Sequence, residues 1–175
     1  MKGSETANGI YNLKALDCED PEALIKYLRR CSNTKIVDLS DSKLTQEFIV
    51  ELGQELHQRD IMIEDLNLSN IEAMNDELVQ WFAKKLFEHN ADGTSSSVNK
   101  LTLNHNNISR IGLVNMLDAT AQNTLLREIS VRDCQIEYTE DQVFDWRAIN
   151  DSLRRNCGIT KIDLADNDVA EDLLK

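Results

Sequence analysis

The chain has 175 residues, of which 41% are hydrophobic and 29% charged, a composition that suits one folded domain with its own core and excludes a disordered chain. Its 19 basic and 31 acidic residues give a net charge of −12, which argues against nucleic acid as a ligand and favours a protein partner, including one with a basic surface. No apolar run approaches the roughly 18 residues that a membrane-spanning helix needs, and the start of the chain lacks the apolar stretch of a secretory leader, so neither membrane insertion nor export is expected.

Residues 1–9 are polar, include Gly3 and Gly9, and are expected to fray as a flexible N-terminus. The next segment, Ile10 to Cys18, supports two readings. Ile10, Leu13 and Leu16 suit a helix, whereas Ile10, Leu13, Ala15 and Cys18 suit a degenerate repeat strand. Asp20-Pro21-Glu22 then opens a helix over about residues 21–31, with an acidic cap, proline in the first turn and a stripe of Ala23, Leu24, Tyr27, Leu28 and Cys31. Residues 10–34 are therefore expected to form an N-terminal cap over the first layer of a stacked core.

From residue 35 onward one figure recurs, a short apolar-x-apolar strand followed by a small or polar residue and a further apolar one. It appears at Val37/Leu39/Ser42/Leu44, Leu66/Leu68/Ile71/Ala73, Leu101/Leu103/Asn106/Ile108, Ile129/Val131/Cys134/Ile136 and Ile162/Leu164/Asn167/Val169. Five units result, starting near residues 35, 64, 99, 127 and 160. Their first apolar positions are 29, 35, 28 and 33 residues apart, and a period of that length has room for a full helix in each unit. Amphipathic spacing places these helices at Gln46 to His57, Asp76 to Glu88, Ile111 to Ala121 and Asp141 to Arg155. Thr45, Asn75 and either Thr139 or Glu140 stand where N-caps are wanted. The longer units spend their extra residues in rim loops, Ala91 to Ser97 in one and Glu137 to Glu140 in the other. Only eleven residues follow the last strand, Ile162 to Leu164, so the fifth unit is expected to be truncated, with Leu173 and Leu174 exposed.

Side chains alternate across a strand, so the residues between the core positions line the face opposite the helices. They fall into columns. Asp38, Asn67, Thr102, Ser130 and Asp163 form one, and Ser40, Ser69, Asn104, Arg132 and Ala165 the next. Flanking them are Ile36, Asp65, Lys100, Glu128 and Lys161 on one side and Asp41, Asn70, His105, Asp133 and Asp166 on the other. Such a face suits hydrogen bonding to a protein. Its candidate contact residues are Asp38, Asn67, Lys100, Thr102, Asn104, His105, Arg132, Asp133 and Asp163, with Arg132 the one anchor-like side chain.

Chemistry is poorly represented by comparison. His57, His89 and His105 fall in different units and on different elements, with no metal-ligand spacing, and no Gly-rich phosphate loop occurs. A hydrolase or metal enzyme is accordingly the weakest reading, and no cofactor is expected. Four cysteines, Cys18, Cys31, Cys134 and Cys157, form neither a Cys-x-x-Cys pair nor a disulfide framework, which points to a reducing intracellular, cytoplasmic setting. Cys134 falls where a small, weakly polar side chain belongs and reads as a buried thiol. Trp146 fits the inward stripe of its helix, while Trp81 sits at the edge of its own.

The figure Leu101-x-Leu103-x-x-Asn106-x-Ile108-x-x-x-Gly112, closed by Asn123-Thr124-x-Leu126 and echoed by Asn156-x-x-Ile159, resembles the ribonuclease-inhibitor type of leucine-rich repeat over roughly residues 35–169. The resemblance implies an α/β fold, a right-handed horseshoe solenoid with a parallel sheet on its concave face. It also implies that Asn106 and Asn167, and by position Ser42 and Cys134, are structural residues whose side chains hold the bend after each strand. The class works mostly by binding proteins, which implies a non-catalytic scaffold, adaptor or regulator. Within it, the size and the segments Asn106 to Ser109 and Leu126 to Ile129 are similar to the C-terminal domain of tropomodulins, which implies regulation of actin filament pointed ends as an alternative. The Ran-activating branch is a poorer match, since its catalytic arginine loop has no counterpart.

Overall fold

A computed structural model describes residues 4–6, 10–12, 24–26, 28, 35–57, 63–88, 96–137 and 143–168, with the backbone alone described at 4–6, 10–12 and 143–146. Seven three-residue strands lie in one sheet in the order of the sequence: β1 (Ser4–Thr6), β2 (Ile10–Asn12), β3 (Ile36–Asp38), β4 (Asp65–Asn67), β5 (Lys100–Thr102), β6 (Glu128–Ser130) and β7 (Lys161–Asp163). β1 runs antiparallel to β2, and every later pairing is parallel. The sheet is open, with β1 and β7 at its ends. Four helices alternate with the later strands: α1 (Gln46–Leu56), α2 (Asp76–Phe87), α3 (Arg110–Ala119) and α4 (Val143–Arg155). Each packs on the next.

The register explains why the units differ in length without disturbing the core. Val37, Leu66, Leu101, Ile129 and Ile162 stand opposite one another on successive strands, so every extra residue is confined to a connection. The first four are sealed from solvent together with Leu39, Leu68, Leu103 and Val131, the inward positions that follow. Burying side chains of this kind stabilises by about 1.5 to 3 kcal/mol each, so the column contributes to the core alongside the buried helix side chains, Phe48, Phe82 and Phe87 the largest among them. Ile162 and Leu164, on the end strand, are only half-buried.

The helices begin where capping chemistry allows. The Thr45 hydroxyl accepts the Phe48 amide at 3.2 Å, the Asn75 carbonyl accepts that of Leu78 at 3.0 Å, and the Ser109 hydroxyl accepts that of Ile111 at 3.1 Å. Ser109 moves the start of α3 forward to Arg110 and leaves Ile111 54% exposed, while Met116 fills the inward position. Gly112 is required by the same junction. Asp76 of α2 accepts the Ser109 amide at 2.7 Å and its hydroxyl at 2.6 Å, and a methyl group at position 112 would overlap that carboxylate.

At the start of the chain, residues 4–6 of the segment expected to fray form β1, and of the two readings of the next segment Ile10 to Asn12 takes the strand, with Tyr11 opposite Val37. Residues 24–26 and 28 have helical backbone, and Leu24, Ile25 and Leu28 are buried. The Asp20-Pro21 cap signal, Cys18, Cys31, His89, residues 91–95, the Thr139/Glu140 cap, the Trp146 side chain and residues 169–175 lie outside the described residues.

Between strand and helix the chain turns sharply at one repeated position. Asp41, Asn70, His105, Asp133 and Asp166 all have φ between 46° and 62°. Aspartate, asparagine and histidine are the non-glycine types that enter this left-handed region most readily. The ladder carries on through the bend, with Asp41 N donating to Ser69 O at 3.0 Å, Asn70 N to Asn104 O at 2.8 Å and His105 N to Arg132 O at 2.9 Å. Beneath it, Asn106 accepts the Ile71 amide at 2.8 Å and donates to the carbonyls of Leu68 and Leu103 at 2.9 and 2.8 Å. Asn167 repeats this toward Cys134, Val131 and Leu164. Replacing Asn106 with leucine would strand three buried backbone groups. The expected cost is about 3 kcal/mol or more, read as a lowered urea midpoint at an unchanged slope.

Candidate partner-binding face

The surface most worth testing is the outward face of the sheet, because the pleat aligns there the polar columns that the helices cannot cover. The burial pattern of β3 to β6 is half-buried, buried, half-buried, so the first and third residues of each strand point away from the core. The first column alternates in charge from β4 onward. Lys100 reaches Asp65 at 3.2 Å, and Lys161 reaches Glu128 at 3.4 Å. Opposite charges on neighbouring strands favour this register over a slipped one.

The second and third columns are joined by short hydrogen bonds. Asp38 accepts the amide and hydroxyl of Ser40 at 3.1 and 2.7 Å and the Asn67 amide group at 3.0 Å. Asn67 does the same for Ser69 at 3.1 and 2.6 Å, and the Ser69 hydroxyl accepts the Asn104 amide at 3.2 Å. Asn104 in turn accepts the Ser130 hydroxyl at 2.7 Å and the Arg132 amide at 2.9 Å. Asp38, Asn67 and Asn104 thus brace the turns as well as lining the face. Ser40 and Ser69 are buried under this network.

Five of the nine candidate contact residues come together. Lys100, Thr102, Asn104, Arg132 and Asp163 line one depression of about 240 Å³ across β5, β6 and β7. Glu128, Ser130 and Lys161 complete its walls. These three lie in the same columns, and the strand alternation was sufficient signal to include them. His105 and Asp133 are outside the depression and pair with each other at 2.8 Å. Asp38 and Asn67 belong to β3 and β4 and are also outside it.

Arg132 is exposed on this face and pairs with two carboxylates. Its Nε and a terminal nitrogen donate to one Asp166 oxygen at 3.1 and 2.7 Å, and Asp163 lies 3.9 Å away. The hydrogen bond and charge of Asp166, with Asp163 beyond, push its pKa above the usual arginine value. Its plane is thereby held in one orientation. The three cations of the depression stand out in so acidic a chain, while the β3–β4 end carries Asp38, Asp41, Glu64 and Asp65 with Lys35.

Of the structural positions, Asn106 is buried, Ser42 is buried and donates to Ser40 O at 3.4 Å, and Asn167 is half-buried. Cys134 is half-buried rather than enclosed, since it lies near the thinner end of the stack. Its sulfur takes the place that asparagine fills in the neighbouring units, donating weakly to Leu103 O at 3.4 Å. Among the described residues, no three His, Cys, Asp or Glu side chains are grouped to hold a metal ion, and no helix is long and apolar enough to cross a membrane. No protein-family model and no curated protein matches the chain.

Burial pushes the Cys134 thiol up, with the Asp133 charge adding to it and backbone amides of Asn106 and His105 only partly opposing. Cys157, by contrast, is exposed. Timed alkylation with iodoacetamide at mildly alkaline pH, read by peptide mass spectrometry, should modify Cys157 well before Cys134, and urea should abolish the difference.

Proposed function

We propose that the chain is a right-handed leucine-rich-repeat solenoid of the ribonuclease-inhibitor type that serves as a non-catalytic protein-binding module in the cell interior. The observation that supports this most is the braced polar face. Its side chains are held by one another, so a partner that replaces water there meets groups already ordered, and little side-chain entropy remains to be lost on association. Preorganised donors and acceptors of both charge signs favour selectivity and register more than raw affinity. Arg132, with Lys100 and Lys161 beside it, supplies the contact of highest expected weight. The acidic β3–β4 end suits a basic surface on the same partner.

The shape of the site agrees with a macromolecular ligand rather than a small substrate. A depression of about 240 Å³ is smaller than the roughly 300 to 1,000 Å³ usual for small-molecule sites. Its charged side chains lie in ion pairs, Lys161 with Glu128 and Arg132 with Asp163 inside it and Lys100 with Asp65 and Arg132 with Asp166 at its edge. None is arranged as a nucleophile with an adjacent base.

The test should separate the face from the fold. Asn104 braces two neighbours, so replacing it would disturb the turns as well as the surface. The double variant Arg132→Gln, Lys161→Gln removes two exposed charges without setting like charges beside Asp163, Asp166 and Glu128. With the chain immobilised in native cell extract, proteins retained by the wild type and identified by mass spectrometry should be depleted about tenfold on the variant, at an unchanged melting temperature. Equal recovery on both would remove the sheet face as the contact.

A further inference from the structure

On the opposite side of the molecule, a groove of about 400 Å³ lies between the first turns of α1 and α2. Its apolar lining is Val50, Leu78 and Trp81, and its rim carries Glu47 and Glu77. Leu78 is nearly covered, but Val50 and Trp81 are only half-buried. The tryptophan ring lies over Gly53 of the neighbouring helix, where a methyl group would meet it at 3.5 Å, an ordinary contact distance; the tighter approach at Gly53 is that of Phe82, at 3.0 Å.

The charge of the groove decides what it takes. Two helix N-termini contribute about half a positive charge each, roughly +1 in all. Glu47 and Glu77 contribute −2 and prevail. The cap positions Thr45 and Asn75 already occupy one amide each of those termini. Unlike Asp76, which is committed to Ser109, neither rim glutamate has an ion-pair partner among the described residues. The groove spans one to two helical turns, about 6 to 9 Å, which admits one large side chain and its flanks rather than a docked helix.

We propose that this groove docks a short basic segment of another protein, with one large apolar side chain set against Val50, Leu78 and Trp81 and a Lys or Arg on either side of it paired with Glu47 and Glu77. Tryptophan is among the residues that most often dominate interface energy, and a half-buried ring between two carboxylates that lack an ion-pair partner among the described residues, Glu47 holding only hydrogen bonds from Thr45 and its own amide, offers both parts of the contact at once. This site lies on the helix side and stands independently of the sheet face.

The experiment uses the full chain and a labelled nine-residue peptide, Gly-Ser-Lys-Lys-Phe-Lys-Lys-Ser-Gly. Fluorescence anisotropy measures binding, and the Trp81 indole N–H resonance, assigned with a Trp81→Phe variant, reports its place. Saturable binding that shifts the Trp81 signal is expected, weakened about tenfold by the exposed double variant Glu47→Lys, Glu77→Lys and by replacing the peptide's phenylalanine with alanine. The Arg132→Gln, Lys161→Gln variant should bind the peptide as the wild type does, so failure of one face is distinguishable from failure of the other. No saturation up to about 1 mM overturns the proposal. So does equal binding by the glutamate double variant, or by a peptide in which glutamate replaces every lysine.

Discussion

A chain that leaves a parallel sheet to start a helix must turn through its own interior, and the amides and carbonyls of that turn lose water without gaining a strand or helix partner. Each stranded group costs about 1 to 3 kcal/mol, so no stack of such turns survives unless side chains satisfy them. Here Asn106 and Asn167 do this for the turn before and for their own. The unit in front of each carries Ile71 or Cys134 at the same position, and its amide is the one the asparagine accepts. The bracing therefore works between neighbours, and it binds the units into a single structure more directly than apolar contact alone.

The outward face obeys the same requirement. Asp38, Asn67 and Asn104 cap the turns with the acceptor atoms that would otherwise be offered to a ligand, and the hydrogen bonds pass from one strand to the next. A face built in this way is rigid, and the polar groups it leaves toward solvent include the Arg132 guanidinium and the two lysines. The helix side is organised differently. There an apolar floor sits between α1 and α2 under two carboxylates without an ion-pair partner among the described residues.

Much of this was legible residue by residue. The strand column Val37, Leu66, Leu101, Ile129 and Ile162, the Thr45 and Asn75 caps and the four helices follow from local periodicity and capping chemistry, and they stand in the structure within a residue or two of their expected limits. The β1–β2 hairpin was not legible, because three polar residues gain strand structure only from a neighbour that already exists. Of the face, its columns were readable from alternation. The gathering of Lys100, Arg132 and Asp163 into one depression was not, since it depends on which charges pair across strands.

By itself the sequence determined the repeating unit, its core positions and the residues that surface together, since these depend on spacing along a single chain. Only the tertiary structure decided that Asp41, Asn70, His105, Asp133 and Asp166 share a left-handed bend, and that Asp38 and Asn104 are spent in part on bracing. It alone also opened a groove beside Trp81. For the Asn104 bracing and the groove the physical reason is common: hydrogen-bond partners and gaps between helices belong to pairs of units about thirty residues apart, and no window along one unit contains both members, whereas the bend and the Asp38–Ser40 bond are local but have no signature distinct from other polar turn residues.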